Sequence, residues 1–401
     1  VTTQRRRGEA LDEVQEKFSL AKRRFCQEME TQKKRHWHDF LADQNNIWKA
    51  NSISKLVSRE TRIPTLHNES RTAETDEEKA DVLMESFFPI PPPPQGPLAT
   101  RQAEEGQHTR VGPLPAVTDE EIERAITRPN PNKAPGPDEI PFSVWRQLLP
   151  HTREWIKWLY QASMSLGHVP RQWREASIVV LRKPGKKDYS NPRAYRPISL
   201  LPTISKGLES IVAARLSYMA ERYNLLPNNH FGARKHRSSE QALNVLVECI
   251  HQAWKTGKVL SLVTFDVQGA FNGVHRSVLC SRLRQAGIPE MMVAWIRSFC
   301  EGRAGKVIVG QYESAMRPIA HAGIPQGSPL SPILYIFYNA GLVRGDIDAS
   351  KGSLGFVDDF TAWVTTPSAM EGTSAIQRDV IPKIEQWAEQ SGATFDLEKT
   401  A

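Results

Sequence analysis

Long apolar stretches are missing from this sequence. No run approaches the roughly 18 consecutive apolar residues of a membrane span, and the opening VTTQRRRGEA carries no apolar signal-peptide core. Cysteine is equally scarce: Cys26, Cys249, Cys280 and Cys300 are far apart and show no CxxC spacing. That spacing excludes a disulfide framework or a cysteine-rich zinc cluster and suits a reducing compartment, the cytosol or the nucleus. There is no internal repeat, and no serine or cysteine triad stands out.

What is present is a chain of 401 residues, 39% hydrophobic and 24% charged, long enough for two or three packed units. The net charge of +7 is unevenly spread. Residues 141–260 hold 19 Lys and Arg against 7 Asp and Glu, whereas residues 261–401 hold 12 against 14. A basic region followed by a neutral one with clustered aspartates suggests a polyanion held by the first and worked on by the second; a solvated basic surface is the other reading.

Along the chain, residues 1–88 are charged and helical in pattern, with aromatics at Phe18, Phe25, Trp37, Phe40 and Trp48, which reads as an amphipathic helical arm or as half of a domain whose other half lies upstream. Residues 89–115, containing FFPIPPPPQGPL in part, read as a proline-rich linker. Ordered patterning resumes with Thr118 as an N-cap and Glu121 completing a capping box. A helix is expected near Arg153–Leu166. EASIVVLRKPGKKDYSNPRAYRPISLL then reads as a hairpin finger with a cationic tip. An amphipathic helix capped by Ser238 leads into the strand VLSLVTFD, ending at Asp266. After a further hairpin comes IPQG and a helix with Ser328 as cap and Pro329 at its first position. The hairpin GFVDDF and a helix around Ala375–Gln390 follow. The order is α+β, an antiparallel sheet backed by helices.

Two features carry chemistry. Asp266 ends an apolar strand and shares one face with Leu260, Leu262 and Thr264, while Asp358 and Asp359 occupy a hairpin tip. Each is readable as an ordinary turn residue. If the strands are neighbours, the carboxylates converge, and like charges drawn together need hard divalent cations with oxygen ligands. Two such ions suit in-line phosphoryl displacement. Nucleotide-handling parts accompany them: Arg182, Lys183, Lys186, Lys187, Arg193 and Arg196 place six cations in fifteen residues. Phe271 follows Asp266 by five residues, either as a ring sensing a sugar hydroxyl or as a core phenylalanine. Gln326 and Gly327 open a helix between the two acidic elements.

The ordered set NKAPGPDEIP, ASIVVLRKPGKKDYSNPRAYRPISLLPTISKGLE, HFGARKHRSSEQAL, FDVQGAFNGV, GIPQGSPLSPILY, GFVDDF and FDLEKT, over roughly residues 115–401, resembles the reverse transcriptase of non-LTR (LINE-type) retrotransposons. The resemblance implies a right-hand polymerase, with residues 116–258 mainly fingers and 259–401 mainly palm, the thumb missing. It implies RNA-directed DNA synthesis from a DNA primer with dNTPs and two Mg²⁺ or Mn²⁺ ions. Asp266, Asp358 and Asp359 match its metal-binding aspartates, and the backbone of Val267 stands beside the first. Phe271 matches the gate that disfavours ribonucleotides. Gln326 and Gly327 match the segment touching the incoming nucleotide. Arg196 and Lys186 or Lys187 match the finger cations on the triphosphate, and Lys399 the lysine near the leaving pyrophosphate. The expected location is nuclear or cytoplasmic, without a membrane partner. The alternative is a truncated, inactive element product that only binds nucleic acid.

Overall fold

The structure, a computed structural model, describes residues 11–42, 63–68, 71–95, 111–112, 114–345 and 347–396. Two compact units divide the chain, Val1–Ile63 and Pro64–Ala401. In the first unit, α1 (Leu11–Ala42) is a single long helix. Phe18, Leu20, Phe25 and Trp37 are exposed along it, and Trp37 stacks on Phe40. Trp48 and Lys399 lie outside the described residues.

The second unit begins with the short pair β1 (Leu66–Asn68) and β2 (Arg71–Ala73), then α2 (Asp76–Phe87) behind a Thr75 capping box. The division at Ile63–Pro64 therefore does not coincide with the sequence boundary at residue 88. The described part of the proline-rich segment is also tied to the second unit. Asn272 Nδ2 donates to Phe87 C=O at 2.8 Å, His275 Nε2 lies 2.8 Å from Pro92 C=O, and Gln95 N–H donates to Glu389 C=O. Within the segment itself one carbonyl, that of Pro92, and one N–H, that of Gln95, make these bonds, and Phe87 is the last residue of α2.

The Thr118 capping box opens α3 (Asp119–Thr127), as its sequence predicts. The next helix, α4 (Phe142–Ser165), starts eleven residues earlier than the apolar pattern suggests, because its first turns pack Phe142 and Leu149 and accommodate Pro150. The finger hairpin follows as β3 (Glu175–Arg182) and β4 (Tyr195–Leu200), and then α5 (Thr203–Arg222). Then come α6 (Ser239–Lys255), β5 (Val259–Asp266), α7 (Arg276–Gln285) and α8 (Glu290–Cys300). Strands β6 (Ala304–Val309), β7 (Tyr312–Glu313) and β8 (Arg317–Pro318) precede α9 (Ser331–Val343). The hairpin β9 (Lys351–Phe356) and β10 (Asp359–Thr366) leads to α10 (Ala369–Ala375) and α11 (Ile381–Ser391), joined by a π-helical turn.

These strands form two larger sheets. One is antiparallel, β5-β10-β9; the other has the order β4-β3-β6-β7, with β8 on β6 and a parallel β3–β6 pairing. So β6 to β8, which follow the first aspartate, join the sheet of the basic β3–β4 hairpin rather than the sheet that carries the aspartates. The antiparallel sheet is covered differently on its two faces. Val263, Phe265, Phe360, Ala362 and Val364 pack with Ile376 and Ile384 on one face. On the other, Leu354 and Trp363 meet Ala242, Val245, Leu246 and Cys249 of α6. A large helical core, with Ile122, Tyr160, Leu208, Leu283, Trp295 and Tyr335 buried, supports the rest. Among the described residues no helix is long and apolar enough to cross a membrane.

Candidate active site

Register decides which carboxylates meet. Strand β10 pairs with β5 so that Asp359 stands opposite Asp266, and with β9 so that Asp359 stands opposite Phe356. Only Val357 and Asp358 remain to make the turn. A two-residue hairpin loop usually needs a positive φ, and here Val357 supplies it at 57°. Among the described non-glycine residues with positive φ it alone is β-branched, a conformation costing on the order of 1–3 kcal/mol.

The turn brings Asp358 into the field of both other aspartates. Partial burial raises its proton affinity most, and repulsion from Asp359 and Asp266 adds to it, while its own backbone N–H and Arg196 oppose the shift. Asp359 is exposed, and Asp266 and Asp358 are half-buried. Arg196 sits on β4 opposite Leu181, so the finger hairpin projects one cation toward the acidic group. Lys186 and Lys187 are exposed at the finger tip. Arg182 is stacked over Tyr189 at 4.9 Å, and Tyr189 and Tyr195 hydroxyls bind backbone carbonyls, which orders that tip.

Beyond β5 the chain meets its C-terminal segment. Gln268 N–H donates to Thr394 C=O and Asp396 N–H to Asp266 C=O, both at 2.9 Å. Val267 and Phe395 form the bridge between them without bonding each other, so the Val267 carbonyl points away from this segment. Asp396 is thereby a fourth acidic residue near Asp266, one that the motif reading passed over.

Phe271 and the QG loop are physically joined. Phe271 stacks on Tyr335 of α9, ring centroids 5.3 Å apart, and its carbonyl accepts from Ile324 N–H at 2.9 Å. Tyr335 is fully buried and its hydroxyl has no hydrogen-bond partner among the described residues; burial, then the charges of Asp358, Tyr338 and Asp266, raise its pKa. Gln326 C=O accepts from Ser199 N–H of β4 at 2.6 Å. Gly327 has φ +118°, and a Cβ there would lie 2.6 Å from the Ser199 carbonyl oxygen, so the close approach to the finger strand requires glycine. The Gln326 Oε1 is buried and has no hydrogen-bond partner among the described residues.

Ser328 does not cap α9, which begins at Ser331 with Leu330 as N-cap. Its hydroxyl is taken by Glu209 Oε2 at 2.5 Å, and Ser205 donates to Oε1 at 2.6 Å. Glu209 is fully buried on α5; burial raises its pKa, with Ser205, Ser328, Arg303 and Lys206 opposing. A charged residue inside an otherwise helical pattern gave no sequence signal of this role. His230 and Asn339 are likewise buried, and His230 Nε2 faces Asn339 Oδ1 at 3.1 Å.

Burial of His230 has a pH signature. Desolvation lowers its pKa from 6.5 to about 4, the Asn339 hydrogen bond opposing and Arg234 and Arg237 assisting. Below the unfolded value the unfolded chain binds a proton that the folded one refuses. Stability is therefore full above about pH 7 and falls between pH 6.5 and 4, by about 3 kcal/mol at the lower end. Urea melts at pH 7 and pH 4.5 check this: His230→Gln is expected to lose less stability than wild type over that interval.

The groups at this sheet end are all oxygen donors, three carboxylates and one outward carbonyl, the ligand type that hard divalent cations prefer. Among the described residues no group of three or more His, Cys, Asp or Glu side chains is placed to hold a metal ion. Mg²⁺ is commonly held by one or two carboxylates with substrate phosphates completing its shell.

The family described as reverse transcriptase (RNA-dependent DNA polymerase) matches residues 181–401. Three Drosophila melanogaster proteins are similar. The RNA-directed DNA polymerase from mobile element jockey is 29% identical over 72% of this chain and 32% of its own length. The probable RNA-directed DNA polymerase from transposon X-element is 28% identical over 86% and 38%, and that from transposon BS 33% identical over 57% and 25%. The chain thus spans about a quarter to two fifths of these relatives. An apo telomerase structure from Candida tropicalis, truncated from its C-terminal domain, aligns with a TM-score of 0.40 at 13% identity, covering 65% of this chain and 55% of that one.

Proposed function

Because the chain belongs to the reverse transcriptase (RNA-dependent DNA polymerase) family, of the non-LTR retrotransposon type, we propose that it holds the fingers and palm of an RNA-directed DNA polymerase. In this reading residues 116–258 are mainly fingers and 259–401 mainly palm, with β6 to β8 joined to the finger sheet. The observation that carries the proposal is the pairing of Asp359 with Asp266 beside a turn that adds Asp358.

Asp266, Asp358, Asp359 and the Val267 carbonyl are the groups that hold the cations. Two bound Mg²⁺ or Mn²⁺ ions supply activation of the attacking hydroxyl oxygen and charge neutralisation at the leaving oxygen. The remaining work belongs to the chain. Arg196, with Lys186 or Lys187, binds the triphosphate, where charge-assisted hydrogen bonds are strongest. Phe271, held flat against Tyr335, fills the space a ribose 2′-hydroxyl needs. Gln326 and Gly327 present backbone and amide to the nucleotide and template, braced on Ser199. Lys399 donates a proton to the departing pyrophosphate. The RNA template and DNA primer lie along the basic 141–260 region, and the protein acts in the nucleus or cytoplasm.

Extension of a DNA primer on an RNA template by the intact protein tests the reading. Incorporation is expected to need Mg²⁺ or Mn²⁺, to stop with EDTA and to return when the metal is restored in excess. Salt-sensitive RNA binding with no dNTP incorporation under any metal condition contradicts it and favours a chain that only binds nucleic acid.

A further inference from the structure

The strained turn between β9 and β10 is held by buried side chains to which the chemistry above gives no role. Asn339, on α9 and 2% exposed, donates from Nδ2 to the Val357 carbonyl at 2.6 Å. Its Oδ1 lies 3.1 Å from Nε2 of His230, which is 0% exposed. An amide oxygen only accepts, so Nε2 carries the proton and Nδ1 is bare. The Nδ1 atom is buried and has no hydrogen-bond partner among the described residues, so it is the Nε2 bond to Asn339 that orients this ring.

The backbone around His230 is fastened to the same hairpin. Phe231 N–H donates to Gly355 C=O at 2.8 Å, and Gly355 N–H to Asn229 C=O at 3.1 Å. Asn229 Nδ2 donates in turn to Val343 C=O and Ser353 C=O, at 2.7 and 2.8 Å. Gly232 lies so close to the backbone of Val357 that no Cβ fits between them. The turn is thus clamped from α9 on one side and from residues 229–232 on the other. A β-branched residue keeps a positive φ only where its surroundings over-determine it, and the Asn339 bond acts directly on the peptide that leads into Asp358.

We propose that Asn339 and His230 are positioning residues that lock Val357 in its left-handed conformation and so aim Asp358 and Asp359. The proposal rests on the reading of those carboxylates as metal ligands. His230 acts through Asn339, and Asn339 acts through the Val357 carbonyl; neither touches substrate. Glycine adopts a positive φ without help, so a glycine at 357 relieves the need for the lock.

Two readouts on the intact protein test it: kcat for single-nucleotide incorporation, and metal-free hydrogen–deuterium exchange of the 351–366 hairpin. Asn339→Ala is expected to lower kcat about 30-fold, within the range for residues that orient metal ligands, with KM for the template–primer little changed. Exchange at 356–359 should rise about tenfold. Adding Val357→Gly to Asn339→Ala is expected to recover at least about half of the logarithmic loss in kcat, which a general loss of packing does not allow. His230→Gln, which keeps an N–H for Asn339, stays near wild type, whereas His230→Ala falls about tenfold. Wild-type kcat and exchange in Asn339→Ala, or a loss that Val357→Gly does not touch, overturns the proposal. Should Asn339→Ala fail to fold, the His230 pair decides: equal kcat and exchange for the two variants overturn it. Activity retained in Asp358→Asn refutes the carboxylate reading instead, whatever Asn339→Ala does.

Discussion

Asp358→Asn is expected to cut primer extension to about one thousandth of the wild-type rate or less, while the folded protein becomes more stable at neutral pH. The first half follows from chemistry: a carboxylate holding a cation that supplies several kcal/mol to the transition state is worth several powers of ten in rate. The second half follows from the field at the turn. Burial and the charges of Asp359 and Asp266 disfavour ionised Asp358 in the metal-free fold. A neutral amide of the same size removes that penalty. Opposite signs for rate and Tm separate a functional carboxylate from a structural turn residue, for which Asn would be silent in both. Primer extension and a thermal melt on the same sample read the two. An active variant, or one that melts below wild type, runs against the expectation.

Glu209→Ala carries the largest expected cost in stability, about 3–5 kcal/mol. Its carboxylate is fully buried and accepts from Ser205 and Ser328, and its charge faces Arg303, which is itself buried and donates to Phe299 C=O. Deleting the carboxylate strands two hydroxyls and leaves buried Arg303 and half-buried Lys206 without their counter-charge. Glu209→Gln keeps an acceptor for one serine and is expected to cost about 1–3 kcal/mol. Urea unfolding at pH 7 orders the three proteins. Since Ser328 adjoins Gln326 and Gly327, Glu209→Gln should also raise the KM for dNTP. Equal stability of Glu209→Ala and wild type would mean that the buried charge is not a keystone of this loop.

Local patterns in the sequence were enough for several elements. Strand β5 runs from Val259 to Asp266 as its β-branched and aromatic residues suggest, the capping box at Thr118 and the cap at Ser238 open helices, and GFVDDF makes a tight hairpin. These are short-range signals, and each cap places both partners within three residues of each other. What needed the third dimension is decided across long separations. The parallel pairing of β3 with β6 joins residues more than 120 positions apart, and no local signal specifies it. Ser328 has the sequence of a cap, yet a buried carboxylate from α5 competes for its hydroxyl. The proline-rich stretch has linker composition, yet its Pro92 carbonyl is bound by His275 and its Gln95 N–H donates to Glu389 C=O.

The site divides in the same way. The three aspartates, Phe271 and the QG pair were legible as residue types at motif spacing, while their roles came from resemblance. Their meeting depends on the register of β5 against β10, which the packing of Val263 and Phe265 on Phe360 and Ala362 sets. The supports were not legible. Tyr335 and Asn339 sit inside the apolar stretch SPILYIFYNAGLV and read as ordinary residues of a buried helix. His230 lies in the quoted HFGARKHRSSEQAL motif, but nothing in its neighbours reveals that its ring points at Asn339.

Manganese uptake is the most direct test of the central claim that Asp266 and Asp358 together hold the catalytic cations. Electron paramagnetic resonance of the intact protein, with template–primer and a non-hydrolysable dNTP analogue, counts the bound Mn²⁺. The account predicts two ions per protein in wild type and none at the same concentration in Asp266→Asn/Asp358→Asn. Two ions retained in that double variant, with the ternary complex still formed, would contradict it.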